Sequence, residues 1–268
     1  MISLITTLYR SEHYLKKYLE RSNKFASFLL RNNVDFEIII ISNDSTIREK
    51  RELEKFKNLN KWVRVFYVSR ESCYASWNRA VELAKNKIVV PWDVDNNNYP
   101  EAVIDGLKLI KEGAEIVYFP FIIKWYINFF SFSFVIRKRM IYPPKFNRKE
   151  FTRSMHCGPF FIFTKSFYRK VGPFDEQFKI AGDFDWCIRA AKINDFKLSE
   201  KIAGEFSVSR GALSSGKNPL REAENNVIYK RHSIFDKVKK VDRKLESLYD
   251  PKKIFCSDKS FELFDVNK

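Results

Sequence analysis

Two carboxylates one residue apart, Asp93 and Asp95 in "VVPWDVDNNNYP", follow directly on an apolar, strand-forming run. Like charges that close repel unless a cation or a hydrogen-bond network holds them. A hard divalent ion shared between a carboxylate and diphosphate oxygens would relieve the repulsion. A solvated turn with a helix-capping Asp is the alternative. Asp44 ends another apolar run, "IIIISNDST", where its carboxylate can accept a hydrogen bond from a nucleobase N–H. Asp183 and Asp185 stand at a helix start in "GDFDWCIRA", with Arg189 four residues beyond Asp185. The helix dipole alone would favour Asp183 there, and an i,i+4 ion pair would account for Asp185.

The elements that must position these groups alternate. "ISLITTL" reads as a strand, followed by a helix over residues 11–31 with Ser11 as N-cap. "FEIIIIS" has the apolar run of a strand buried on both faces. A charged helix over 46–59, strand "WVRVFYV", a helix over 73–85 carrying Asn78 and Arg79, and strand "KIVVPWDV" follow. Next come a helix over 100–112, strand "EIVYFPFII", strand "GPFFIFT", a helix from Lys165, the Asp183 helix and a final strand within "FKLSEKIAGEFSVS". The tail, 218–249, reads as a basic helix. This βαβ order predicts a doubly wound α/β fold. Ligands of such folds sit at the carboxyl ends of the strands, where Thr6, Thr7, Asn43, Asp44, Asp93 and Asp95 all fall.

The chain has 268 residues, a formal charge of +16 and 26 Phe against 8 Gly. That is enough apolar content for a core, and it is not a disordered composition. The charge fits an anionic partner or a Lys-rich solvated surface. No nucleic-acid motif accompanies it, and the acidic clusters would repel phosphates without a metal, so nucleic acid is not expected as a partner. A sugar-1-phosphate nucleotidyltransferase would need a Gly- and Arg-rich loop near the first strand, which is missing. Cys73, Cys157, Cys187 and Cys256 show no CxxC pair and read as reduced and buried. The first residues lack a basic, then long apolar, signal-peptide pattern. The expected setting is cytoplasmic, extending to the inner face of a membrane.

In order, "ITTLYRSEHYL", "EIIIISNDST", "NRAVELAKNKIVVPWDVD", "GPFFIFTKSFYRKVGPFDE" and "GDFDWCIRA" resemble the family 2 glycosyltransferases from Ile2 to about Ser215. The resemblance implies the GT-A fold, with a mixed, mostly parallel central sheet flanked by helices. It also implies an inverting, metal-dependent transferase acting on a nucleotide-sugar donor, a UDP-sugar by preference, and a hydroxyl acceptor on a glycan, lipid-linked or protein molecule. By the same resemblance Thr6 and Tyr9 open the nucleotide pocket and Asp44 holds the base. Asn78, Asp93 and Arg210 also face the donor, Asp95 binds Mn2+ or Mg2+, and Asp183 is the catalytic base. His156, Asp185 and Trp186 fall on the acceptor side; a buried, hydrogen-bonded histidine is the other reading of His156. Two departures stand out. Gly182 replaces the family's Glu before the base, and "SRGALSSGK" keeps Arg210 but has no following His.

The resemblance leaves a GT-A domain over 1–215, interrupted by a variable stretch at 124–153, and a basic helical extension over 216–268. The variable stretch is aromatic, then basic, with eight Lys or Arg against Glu150 alone. Lys124 opposes a membrane span. Residues 125–139 instead suggest peripheral contact: Trp125, Tyr126, Phe129, Phe130, Phe132 and Phe134 at lipid headgroups, with Arg137, Lys138 and Arg139 on anionic lipid. A lid or a homodimer surface is the equal alternative.

Overall fold

The computed structural model describes residues 1–129, 132–209 and 218–257. Its centre is a seven-stranded sheet. Four parallel strands come first: β1 (Ile2–Tyr9), β2 (Phe36–Asn43), β3 (Val63–Val68) and β4 (Ile88–Pro91). Beyond β4 lie β9 (Phe161–Thr164), β6 (Ile116–Tyr118) and β10 (Lys197–Leu198), with β9 antiparallel to both of its neighbours. The sheet is mixed and mostly parallel, as expected.

Period-2 alternation builds the core on both faces. Ile39 and Ile41 join one buried cluster with Trp77, Phe163 and Trp186, while Ile38 and Ile40 join the other with Tyr18, Phe25 and Trp92. Each fully buried isoleucine contributes roughly 1.5–3 kcal/mol. The helices that cover the faces are α1 (Glu12–Arg31), α2 (Ile47–Leu59), α3 (Cys73–Leu83) and α4 (Pro100–Lys111). Thr46 and Glu49 form a capping box at α2. Ser11 occupies the N-cap position of α1, but its hydroxyl donates to the Tyr9 carbonyl instead of capping.

Three expected elements divide. The run over 115–123 bends at Pro120, which has no N–H to continue a ladder. Its first half is β6; its second is β7 (Phe121–Phe129), in a separate four-stranded sheet with β5 (Asn97–Asn98), β8 (Phe132–Ile141) and β11 (Gly204–Ser209). The final strand divides in the same way into β10 and β11, and the Ala203 N–H donates to the Pro120 carbonyl at 2.8 Å where the two crossings meet. The tail is α8 (Pro219–Arg231), a 3-10 turn at Phe235–Lys237 and the short α9 (Arg243–Glu246). Ser233, at φ 57°, ends α8.

The variable stretch forms the β7–β8 hairpin and the one-turn α5 (Arg148–Phe151). Val227, Ile228, Ile234 and Tyr249 from the tail lie in the same buried cluster as Ile39 and Trp186. Two further helices, α6 (Lys165–Val171) and α7 (Gly182–Ile193), pack against one another beside β9. None of the four cysteines, all among the described residues, forms a disulfide; Cys157 and Cys187 are buried as expected, but Cys73 and Cys256 are exposed. Among the described residues no helix is long and apolar enough to cross a membrane.

Candidate active site

β4 stops at Pro91, three residues earlier than the sequence suggests, and Trp92 makes one last ladder bond to the Ile5 carbonyl. Asp93 and Asp95 therefore sit in a turn. The Asn96 N–H donates to the Asp93 carbonyl at 3.2 Å, and Asn96 Nδ2 donates to Asp93 Oδ2 at 3.1 Å. The second sheet fixes the turn from outside, where Ser207 Oγ donates to the Asp95 carbonyl at 2.9 Å. From α1, Arg21 Nη2 donates to the Val94 carbonyl at 2.6 Å, and the Arg21 and His13 charges draw on Asp95.

Asp93 is the electrostatic centre. Burial, then the charges of Asp95 and Asp183, raise its pKa to about 7. Asp95 is raised too, by burial, with Arg21 and His13 opposing. Asp183 lies at the second position of α7, where burial raises its pKa to about 6 against the opposing Phe184 N–H and Tyr74 hydroxyl. Asp93 feels both other carboxylates, so the strand turn and the start of α7 lie near one another. Cys73, which opens α3, shares the field of Asp93 and Asp183, and its Sγ lies 3.5 Å from Thr7 Oγ1.

Thr7, not Thr6, stands at this rim. Thr6 is fully buried; its hydroxyl donates to the Trp92 carbonyl at 2.8 Å and accepts from Tyr18 at 2.9 Å. Tyr9 is 43% exposed, and the Arg70 guanidinium stacks 3.6 Å from its ring centre. Asp44, at φ 49°, and Arg10, at φ 44°, end adjacent parallel strands in left-handed geometry. Their side chains pair at 2.9 Å. Non-glycine residues pay strain for such φ values, and paired outliers at strand ends mark a place where position outweighs local comfort.

Three expected site residues have other work. Asn78 spends its amide on the protein: Nδ2 donates to the Phe174 carbonyl and Glu176, and Oδ1 accepts from Tyr168 and the Phe174 N–H. Asp185 is fully buried and binds Arg189, Arg231 and His232 at 2.9–3.0 Å. Burial pushes its carboxyl up, but the His232 hydrogen bond and the two arginine charges outweigh that and hold it well below the usual range. Trp186 is also fully buried, donating Nε1–H to the Gly172 carbonyl. Helix phase explains both placements. Two residues are about 200° apart around a helix, so Asp185 faces inward when Asp183 faces the side of Asp93, and Trp186 follows it into the core. Neither of the two can meet an acceptor. His156 is half-buried against the Phe151 ring, and burial lowers its pKa. Arg210 and Lys217 lie outside the described residues.

Sequence reading missed two supports. Glu224 of α8 is fully buried, and its carboxylate accepts from the backbone N–H groups of Lys179, Ile180 and Ala181 at 2.8–2.9 Å. It thereby holds the loop that enters α7. Tyr74, discussed below, is the other. Neither had a local signal, since a tail glutamate and a helix tyrosine look ordinary until the chain folds back.

Among the described residues no group of three or more His, Cys, Asp and Glu side chains could hold a metal ion by itself. The Asp93–Asp95 pair fits one that takes the rest of its oxygen shell from phosphate and water, as Mg2+ habitually does.

The family profile described as "Glycosyl transferase family 2" matches residues 3–172. Chondroitin synthase of Pasteurella multocida (strain Pm70) is 23% identical over 245 residues; that covers 87% of this chain but 23% of the relative, so the chain spans under a quarter of its length. Among solved structures, S. aureus TarS 1-349 in complex with UDP-GlcNAc superposes with a TM-score of 0.65 at 17% identity, covering 86% of this chain and 66% of TarS 1-349. The mannosyltransferase PcManGT from Pyrobaculum calidifontis, in complex with GDP-Man and Mn2+, has a TM-score of 0.56 at 12% identity, covering 92% and 67%. Those likenesses show a common GT-A fold.

Proposed function

The chain belongs to glycosyl transferase family 2, and on that footing we propose that it moves a sugar from a nucleoside diphosphate donor to a hydroxyl acceptor, inverting the anomeric carbon. The observation that carries this reading is Asp93 standing in the field of both Asp95 and Asp183. On this reading a carboxylate pair suited to a diphosphate stands near a third carboxylate suited to a proton.

Asp95, with Asp93 beside it, would hold Mn2+ or Mg2+; when bound, the ion supplies positive charge against the leaving diphosphate. Asp183 takes the proton of the acceptor hydroxyl while that oxygen bonds to C1. The bond from C1 to the diphosphate oxygen breaks on the opposite side, and the nucleoside diphosphate leaves with the electron pair. A carboxyl raised to about 6 is still mostly ionised at pH 7 and is a stronger base than an ordinary one. Asp44 and Tyr9, at the ends of β2 and β1, would flank the nucleoside. The TarS complexes with UDP-GlcNAc and with UDP favour a uridine donor.

The direct test is Mn2+-dependent hydrolysis across a panel of nucleotide sugars, since slow donor hydrolysis needs no known acceptor. UDP-sugar turnover that stops on chelation is the expected result. Identical UDP affinity with and without Mn2+ would remove the metal role. On the exposed edge strand β8, Arg137, Lys138 and Arg139 offer three cations in a row beside exposed Phe134 and Ile136. An anionic membrane surface fits that pattern, each cation adding about 1 kcal/mol. Flotation with phosphatidylserine vesicles should carry the protein upward, and failure to float ends that part of the reading.

A further inference from the structure

We propose that Tyr74 is the residue that positions Asp183 for proton transfer, and that position 182 is glycine because the Tyr74 ring fills the space a side chain there would need. The inference deepens the glycosyltransferase reading and rests on it for the role of Asp183.

Tyr74 lies in the first turn of α3, from a different part of the chain than α7, and is 5% exposed. Its hydroxyl is 2.7 Å from the Ile180 carbonyl and 3.2 Å from Asp183 Oδ1. One phenolic proton is therefore shared between the loop that enters α7 and the carboxylate itself. The Phe184 N–H donates to the same Oδ1 at 2.8 Å. Both of these bonds fall on Oδ1, which orients Oδ2 as the oxygen for an incoming hydroxyl.

The fit around Gly182 is steric. A Cβ built there would lie 2.6 Å from Tyr74 Cδ2, 2.7 Å from Cε2 and 2.9 Å from Cγ. Atoms that close must move, and the ring has little room to do so. It stacks on Phe174 with centroids 6.2 Å apart and meets Trp77 edge-on at 5.9 Å. Glutamate at 182, the family's usual residue, cannot coexist with this tyrosine. The departure at 182 and the tyrosine at 74 are two halves of one local solution. The Tyr74 hydrogen bond also favours the ionised carboxylate and opposes the rise that burial imposes on Asp183.

Three variants test this: Tyr74→Phe, Gly182→Glu, and Gly182→Glu combined with Tyr74→Ala. Carboxyl NMR titration of Asp183 in wild type and Tyr74→Phe reads the hydrogen bond without any need for turnover. The midpoint should move upward by about one pH unit on loss of the hydroxyl. The acid limb of the kcat profile should move with it while the donor KM holds. Gly182→Glu alone should lose more than about tenfold in kcat, and adding Tyr74→Ala should recover part of that loss. Superimposable Asp183 titrations in wild type and Tyr74→Phe would overturn the positioning role. A Gly182→Glu protein as active with Tyr74 as without it would overturn the steric half. Absence of turnover in wild type on every nucleotide sugar would sink the glycosyltransferase reading instead, while the NMR midpoints still decide the contact.

Discussion

The molecule spaces two aspartates one residue apart twice, Asp93-Val94-Asp95 and Asp183-Phe184-Asp185, and gives the two pairs opposite fates. In the turn after β4 the two carboxylates stay close enough to repel, and burial raises the pKa of both. At the start of α7 the pair is separated: Asp183 rises to about 6, while Asp185 falls well below normal among Arg189, Arg231 and His232. Spacing in sequence therefore carries no fixed meaning. A turn keeps neighbouring side chains together, whereas 100° per residue sends every second one to another face.

Single substitutions sharpen the contrast. The largest expected effect is Asp183→Asn, which should cut transfer about 10²- to 10⁴-fold and leave UDP binding in place, as calorimetry would register. Asp185→Ala should do the reverse, costing about 3–5 kcal/mol of stability by removing the only carboxylate partner shown for Arg189 among the described residues and one of the two shown for Arg231. Denaturant melts read that loss, and an Asp185→Ala protein that melts like wild type would break the comparison. Asp95→Ala comes next, weakening UDP binding in Mn2+ by about tenfold or more, some 1.4 kcal/mol, with little change in a ligand-free melt.

The smallest effect is a difference in pH dependence. A raised folded pKa, as at Asp183, means the folded chain keeps a proton that the unfolded chain has released. Its share of stability therefore grows as pH falls through about 6 and is complete below the unfolded value near 4. Asp185 runs the other way. Its share is present above about 4 and disappears as pH falls through its still lower folded value. Melting temperatures of Asp183→Asn and wild type should diverge between pH 7 and 5; parallel curves would contradict the assignment at Asp183.

Much of the scaffold was legible because β1, β2 and β3 are long apolar runs separated by helices of clear period. The α/β class and the position of the acidic pair after the fourth strand followed from that order, while the GT-A fold came from the family resemblance. Phase was harder to read. Thr6 and Thr7 are adjacent, but pleating turns one under the sheet and the other to the rim, and sequence gives no origin for the alternation. The run over 115–123 read as one strand; Pro120 within it is the corner between two sheets. Asn78 stands on a helix beside the site, yet its partners lie in a loop almost a hundred residues later. Tyr74 and Glu224 were invisible for the same reason, since each acts on backbone contributed by a remote segment.

The seat of Glu224 has a consequence for the tail. Its carboxylate accepts from three consecutive amides just ahead of Asp183, and Arg231 of the same helix grips Asp185 one turn further on. A chain shortened to end before α8 would keep every strand of the large sheet. It would lose the anchor of the loop that enters α7, and on the proposed mechanism it should still bind a donor while transferring its sugar poorly.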